Sequence, residues 1–190
     1  MGEKLNLCKY ETVFFNCEGT NEEAVLRWII EQGRMAVAKD VCNLDFTRAR
    51  SNKGRMALCR HIDEHDYDAP VAIVYICDRP KEKWKLTKEM KRVFETKNVD
   101  WLHVVTYPEI EILLTMLDDT VALKWEKYKK QHRSDPKVSE FCKEYFRDDI
   151  KDGNGFIEQF CSFKQFAEIC VKYKREHTKL NTYTLADLIK

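Results

Sequence analysis

Val71-Ala72-Ile73-Val74-Tyr75-Ile76-Cys77-Asp78 is the stretch on which the fold turns. Its residues up to Cys77 are almost wholly apolar or β-branched, as expected for a central strand covered by helices on both faces, and a carboxylate follows at once. An earlier run of the same kind, Thr12-Val13-Phe14-Phe15-Asn16-Cys17, ends at Glu18-Gly19. In open parallel sheets ligands bind outside the carboxyl ends of the strands. Glu18 and Asp78 therefore stand where a site would form, and the pair reads as a metal site.

Helical patterns alternate with these strands. Tyr10 to Cys17 reads as the first strand. Thr20-Asn21-Glu22-Glu23 has the form of a capping box with Thr20 as N-cap, and Ala24, Val25, Trp28 and Ile29 mark an apolar helical face that ends near Gly33. Met35 to Leu44 holds a second strand, and Asn52-Lys53-Gly54 marks the loop before a helix from Arg55 to Glu64. Beyond Asp78-Arg79-Pro80, Trp84 to Lys97 sets Trp84, Met90 and Phe94 among lysines at the spacing of a surface helix. Val99 to Tyr107 supplies a fourth strand, and Pro108 fits the first position of a short helix reaching Leu117. This alternation predicts an α/β fold with an open parallel sheet flanked by helices.

From Thr120 onward the pattern is helical: Val121 to Gln131, Pro136 to Phe146 with Asp135 as cap, Ser162 to Glu176, and Thr184 to Ile189. Asp152-Gly153-Asn154-Gly155 is the strong turn signal of this region. The expected organisation is an α/β domain over residues 1–118 with a C-terminal helical extension, residues 119–190, packed on it.

Composition narrows the functional classes. With 33 Lys and Arg against 32 Asp and Glu the net charge is +1, so bulk charge neither demands nor excludes nucleic acid. The longest apolar run, Val71 to Cys77, is far too short for a bilayer, so no membrane partner is expected. Met1 to Leu7 has neither an apolar signal core nor an Arg-rich amphipathic pattern, and a cytoplasmic protein is expected. The 8 cysteines include no Cys-x-x-Cys pair and read as reduced, packed thiols.

Arg48, Arg50, Lys53 and Arg55, with Arg60 beyond, form the densest basic stretch near the sheet edge. They suit a nucleic-acid backbone and equally a solvated surface. His61 and His65 share a helical face at metal-site spacing, yet no Glu follows the first, and an exposed pair is the better reading. His103 reads as a packed strand residue.

The acidic motifs resemble a known family. Cys17-Glu18-Gly19-Thr20-Asn21-Glu22-Glu23 is similar to the opening motif of RloB-like proteins, a branch of the TOPRIM (topoisomerase–primase) fold. Tyr67-Asp68 and Ile76-Cys77-Asp78-Arg79 resemble the second motif, and Pro108-Glu109-Ile110-Glu111-Ile112-Leu113-Leu114 the third, in the same order. The resemblance implies a TOPRIM-like domain with a Mg²⁺ or Mn²⁺ site for phosphodiester hydrolysis of DNA or RNA. It makes Glu18, Asp78 and Glu111 catalytic candidates and Glu18, Glu22, Asp78 and Glu82 metal-ligand candidates. Glu23 competes with Glu22 for the second acidic position. Pro80 stands where the family's Asp-x-Asp pattern has its second aspartate, and Glu82 is the substitute. The family also implies an ATPase partner in prokaryotic restriction or antiphage systems; an oligomer is compatible with the sequence.

The rival reading is a TOPRIM-like nucleic-acid-binding or protein-interaction module without catalysis, for which Pro80 is the motive. A receiver-like domain ranks last, because Cys17-Glu18 and Thr106-Tyr107 stand where such a domain needs paired acids and a late lysine.

Overall fold

Strand β3, Val71–Cys77, is buried at every position, so both of its faces must be covered. The computed structural model describes residues 5–79, 84–132, 136–146, 150, 152–177 and 182–190. Beside β3 lie β1 (Thr12–Cys17), the short β2 (Cys42–Asn43) and β4 (Val99–Val105), in the order β2-β1-β3-β4 with every pairing parallel. The fold is therefore α/β with an open parallel sheet. Thr12 pairs with Val71 and Cys17 with Ile76, which brings the carboxyl ends of β1 and β3 side by side.

The two-residue period of a strand divides the core. Val13, Phe15, Cys17, Ala72, Val74 and Ile76 face one apolar cluster, which also holds Val25 and Ile29 of α1 (Thr20–Glu31). Phe14, Ile73 and Tyr75 face the other, with Leu58 and Ile62 of α2 (Asn52–Glu64) and Val93 of α3 (Lys88–Thr96). The C-terminal third completes the first cluster. Trp125 of α4 (Asp119–Gln131), Phe141 of α5 (Val138–Phe146), Phe156 of α6 (Asn154–Glu158) and Phe166 of α7 (Phe163–Glu176) all belong to it.

Several local expectations are corrected. Gly19, not Thr20, is the N-cap of α1, and no side chain caps it, because Glu23 is drawn instead to Thr47, Arg27 and Arg48. The second strand shrinks to Cys42–Asn43, and Met35 bridges to Ile189 instead. Ser51 starts α2 by accepting the Gly54 N–H, so the helix begins at Asn52 rather than Arg55. Thr87 likewise caps α3, leaving Trp84 outside the helix and buried against Tyr75 and Trp101. Pro108 follows a cis peptide, Glu109 is extended, and a 3-10 turn, Ile110–Met116, replaces the short helix that Pro108 was to open. Thr184 and Asp187 close a capping box around a 3-10 turn, Leu185–Asp187, in place of a last α-helix. The expected cap Asp135 lies outside the described residues.

The histidines and cysteines follow their expectations in part. Of the expected exposed pair only His65 is exposed: His61 is half-buried against Phe14 and Phe46, its ring tilted against that of His65 with centres 4.3 Å apart, while His103 packs on Tyr75 and Trp101 as expected. The cysteines are free, and Cys17, Cys59, Cys77, Cys142 and Cys170 are buried as packed thiols, whereas Cys42 is half-buried and Cys8 and Cys161 are exposed. Among the described residues no helix is long and apolar enough to cross a membrane.

Gly153 opens α6 at a positive φ of 83°, and a Cβ there would lie 2.7 Å from the Ala24 Cβ of α1. Gly33 is also at positive φ, 63°, but a Cβ there would meet nothing within 4 Å. Gly153→Ala is therefore expected to lower stability by about 1–3 kcal/mol in urea denaturation, through backbone strain plus a collision. Gly33→Ala should lose less, since only the strain applies.

Candidate functional site

The parallel register that aligns Cys17 with Ile76 also fixes the first two acidic side chains. Glu18 N–H continues the ladder to the Ile76 carbonyl at 2.9 Å, and Glu18 Oε2 accepts the Asp78 N–H at 3.0 Å. Asp78 Oδ1 is buried and receives no hydrogen bond, with Arg79 Nε 3.6 Å away. The pair named from the sequence is thus tied together by a backbone donor, and one carboxylate oxygen is left unsatisfied.

Two further carboxylates converge from α1 and from the 3-10 turn after β4. Glu22 lies in the first turn of α1 and is 5% exposed. Its carboxylate occupies the space beside Gly19 that a side chain would fill: a Cβ at residue 19 would lie 2.1 Å from Glu22 Oε2. Glu111 is buried in the 3-10 turn, where its Oε1 accepts from Asn21 Nδ2 at 2.9 Å. Asn21 Nδ2 also donates to the Ile150 carbonyl at 2.8 Å, while Asn21 Oδ1 is buried without a donor.

Arg50 supplies the basic group. Asn16, fully buried in β1, donates to the Phe46 carbonyl, and Cys17 N–H donates to the Thr47 carbonyl at 2.8 Å. These bonds pin the segment after β2 to the sheet edge, and Arg50 Nε then reaches the Cys17 carbonyl at 3.2 Å. Glu18, Glu22, Arg50, Asp78, Glu109 and Glu111 line one cavity of about 320 Å³. Glu109 accepts the N–H and the hydroxyl of Ser139 at 2.9 and 3.0 Å, capping α5 from another element.

Concentrated negative charge in a partly dry cavity shifts its members. Burial, with the Asp78 carboxylate adding to it, holds Glu18 above the usual carboxylate range against the opposing Asp78 N–H. Burial and the charges of Glu111, Glu18 and Asp78 push Glu22 up to about 7. A cation relieves such repulsion.

The fit to a divalent ion rests on donor type. Among the described residues no group of three or more His, Cys, Asp or Glu side chains forms a set that could hold a metal ion. Mg²⁺ is commonly held by one or two carboxylates, waters and substrate phosphate oxygens, so a complete protein cage is not required. The unsatisfied Asp78 Oδ1 and its neighbour Glu18 fit that smaller requirement.

The predicted residues divide clearly. Glu18, Glu22, Asp78 and Glu111 line the same cavity, while Glu82 and Pro80 lie outside the described residues. Of the basic group, Arg50 alone lines it. Arg48 pairs with Glu23 in a neighbouring cavity, Lys53 is exposed in the first turn of α2, and Arg55 stacks 4.7 Å above the Trp84 ring. Asn21 and Ser139 carried no signal that was read, and Glu109, which reads as a dipole-favourable surface residue after Pro108, instead caps α5 through Ser139. A signal for Asn21 existed, since Glu111 interrupts the apolar run Ile110 to Leu114 and a charge there demands a buried donor. No family model, curated protein or solved structure matches this chain.

Glu22 makes the stability pH-dependent in a defined sense. Between its ordinary value of 4.5 and about 7 the folded protein keeps a proton that the unfolded chain releases, so Glu22's stabilising contribution is full below 4.5 and lost as pH rises through 7. Glu22→Gln is therefore expected to melt several degrees above the wild type at pH 8 and level with it at pH 4, in thermal scans of both proteins. Gly19→Ala should displace the Glu22 carboxylate and erase most of that difference.

Proposed function

We propose that the protein is a divalent-metal-dependent hydrolase of nucleic-acid phosphodiesters, of the TOPRIM type that its RloB-like motifs suggest. The observation that carries the reading is the single cavity at the carboxyl edge of the sheet, lined by Glu18, Glu22, Asp78, Glu111 and Arg50. Carboxylates alone would favour a free cation, whereas a guanidinium among them favours a cation that arrives with a phosphate.

Glu18 and Asp78 would hold a Mg²⁺ or Mn²⁺ ion, with Glu22 and Glu111 beside them, and the ion would supply Lewis-acid polarisation of the phosphate and activation of water. Arg50 neutralises a non-bridging phosphate oxygen. Glu22, on the same cavity, would take a proton from the attacking water and return it to the leaving oxygen as the P–O bond breaks. Asn21 holds the Glu111 carboxylate in place.

The family resemblance adds a setting: a cytoplasmic antiphage or restriction-like system in which an ATPase partner presents the nucleic acid. Pro80 favours a second reading, a module that binds without cutting, because it removes the second aspartate of the Asp-x-Asp pattern.

Labelled single- and double-stranded DNA and RNA, incubated with Mg²⁺ or Mn²⁺, separate the two. Cleavage is expected from the wild type and a loss of at least about 100-fold from Glu18→Ala, the scale of removing a charge-stabilising group. Cleavage that survives Glu18→Ala rejects the site. In parallel, Mn²⁺ is expected to raise the melting temperature of the wild type but not of Glu18→Ala/Asp78→Asn; equal shifts would remove the metal.

A further inference from the structure

A second cavity, of about 360 Å³, lies between α1 and α6 and shares Thr20 with the acidic one. Its rim carries Arg27 and Arg48, whose side chains are 47% and 72% exposed, and its wall includes the partly buried Trp28. Both guanidiniums are fixed from below by Glu23. Arg27 donates to Glu23 Oε1 through Nε and Nη2 at 3.1 and 2.9 Å, Arg48 donates through Nε to Oε2 at 2.5 Å, and the Thr47 hydroxyl adds a bond at 3.1 Å.

The burial of Glu23 is what makes this more than a surface ion pair. Its side chain is 5% exposed, so the carboxylate is spent on two partners that remain largely in solvent. Burial alone would raise Glu23, and the bonds from Arg48, Arg27 and Thr47 bring it below the usual carboxylate value. Glu23 and its two arginines together carry a surplus of one positive charge, while Glu31 and Asp152 on the same lining bring the cavity's charged side chains to a net charge of −1. Each guanidinium retains outward N–H groups that Glu23 does not use, since Arg48 gives it Nε and Arg27 gives it one edge. Donors held in place in advance lose less entropy when an anion binds. Glu31, one helical turn beyond Arg27 on α1, and Asp152 also line the cavity, so an anion there is held by the N–H groups the two guanidiniums have left and not by net charge.

We propose that this cavity is a phosphate-binding subsite for the strand that passes through the acidic cavity: Arg27 and Arg48, braced by Glu23, hold a neighbouring backbone phosphate, and Trp28 offers an apolar surface to the adjoining sugar or base. Arg27 stands seven residues after Thr20 on α1, about 10 Å along the helix axis, so a strand leaving the first cavity over Thr20 meets the arginines next. This inference rests on the proposed hydrolase.

Fluorescence anisotropy of labelled single-stranded DNA and RNA of roughly 20 nucleotides, in EDTA so that no cleavage occurs, tests it. Arg27→Ala/Arg48→Ala is expected to weaken binding at least about tenfold and to reduce the slope of log affinity against log salt by about 1.4, for two phosphate contacts. Lys88→Ala/Lys91→Ala on α3 removes the same charge elsewhere and should change both far less. Because the double arginine variant leaves Glu23 buried with fewer partners, Arg27→Ala/Arg48→Ala/Glu23→Gln is measured as well; it should fold and bind equally weakly. Wild-type affinity and slope in both arginine variants, or an equal loss in the lysine pair, overturns the subsite. If that happens while Glu18→Ala still abolishes cleavage, the hydrolase stands without it. Binding that depends on the arginines with no cleavage under any metal keeps the subsite and removes the hydrolase.

Discussion

The complete burial of β3 is the constraint from which the rest of the architecture follows. A seven-residue strand with no exposed position needs apolar cover on both faces, and a parallel neighbour on each side to satisfy its backbone. The α2–α3 pair covers one face. The other, larger cluster draws on α1 and on every helix from α4 to α7, so the C-terminal third completes the sheet's core. Alternation along β1 and β3 sorts the side chains between the clusters without exception among the residues assigned to them.

The same register that buries the strands brings charges together at their ends. A carboxylate is stable in a dry place only with donors or cations, and the site meets this unevenly. Asn21 serves Glu111, the Asp78 N–H serves Glu18, and two arginines with Thr47 serve Glu23. Glu22 is left with the largest deficit, which appears as its raised affinity for protons. Glu22 and Glu23, adjacent in sequence, therefore have opposite characters: one is destabilised in its charged form and faces the acidic cavity, the other is stabilised and faces the basic rim. The helix dipole acts on both in the same sense and cannot account for the contrast.

Strands β3 and β4 and the acidic strand ends were legible because each is signalled locally, by a run of β-branched residues and by the carboxylate that follows. The capping box at Thr20 was legible in form and misleading, since the pattern does not say that Thr47 and Arg48, some twenty-five residues away, compete for Glu23. Pro108 fits a helix start by its missing N–H, and nothing in its neighbours marks the cis bond that moves the turn to Ile110. The same holds for the site. Glu18, Glu22, Asp78 and Glu111 stand out by residue type, while the segregation of Arg48 from Arg50 depends on a loop pinned by Asn16, a long-range bond with no sequence signature.

The last residues of the chain run along the sheet rather than away from it. Tyr183 pairs in parallel with Val104 and accepts the Val105 N–H through its carbonyl, while Ile189 bridges to Met35 and Lys190 N–H donates to the Arg34 carbonyl. The site end of β4 is thereby capped by the chain itself. An uncapped edge strand is a template for pairing with another molecule, and here that opportunity is withdrawn next to the acidic cavity. Any association of copies through β4 would have to use the opposite end of the strand, where Val99 to His103 precede the cap.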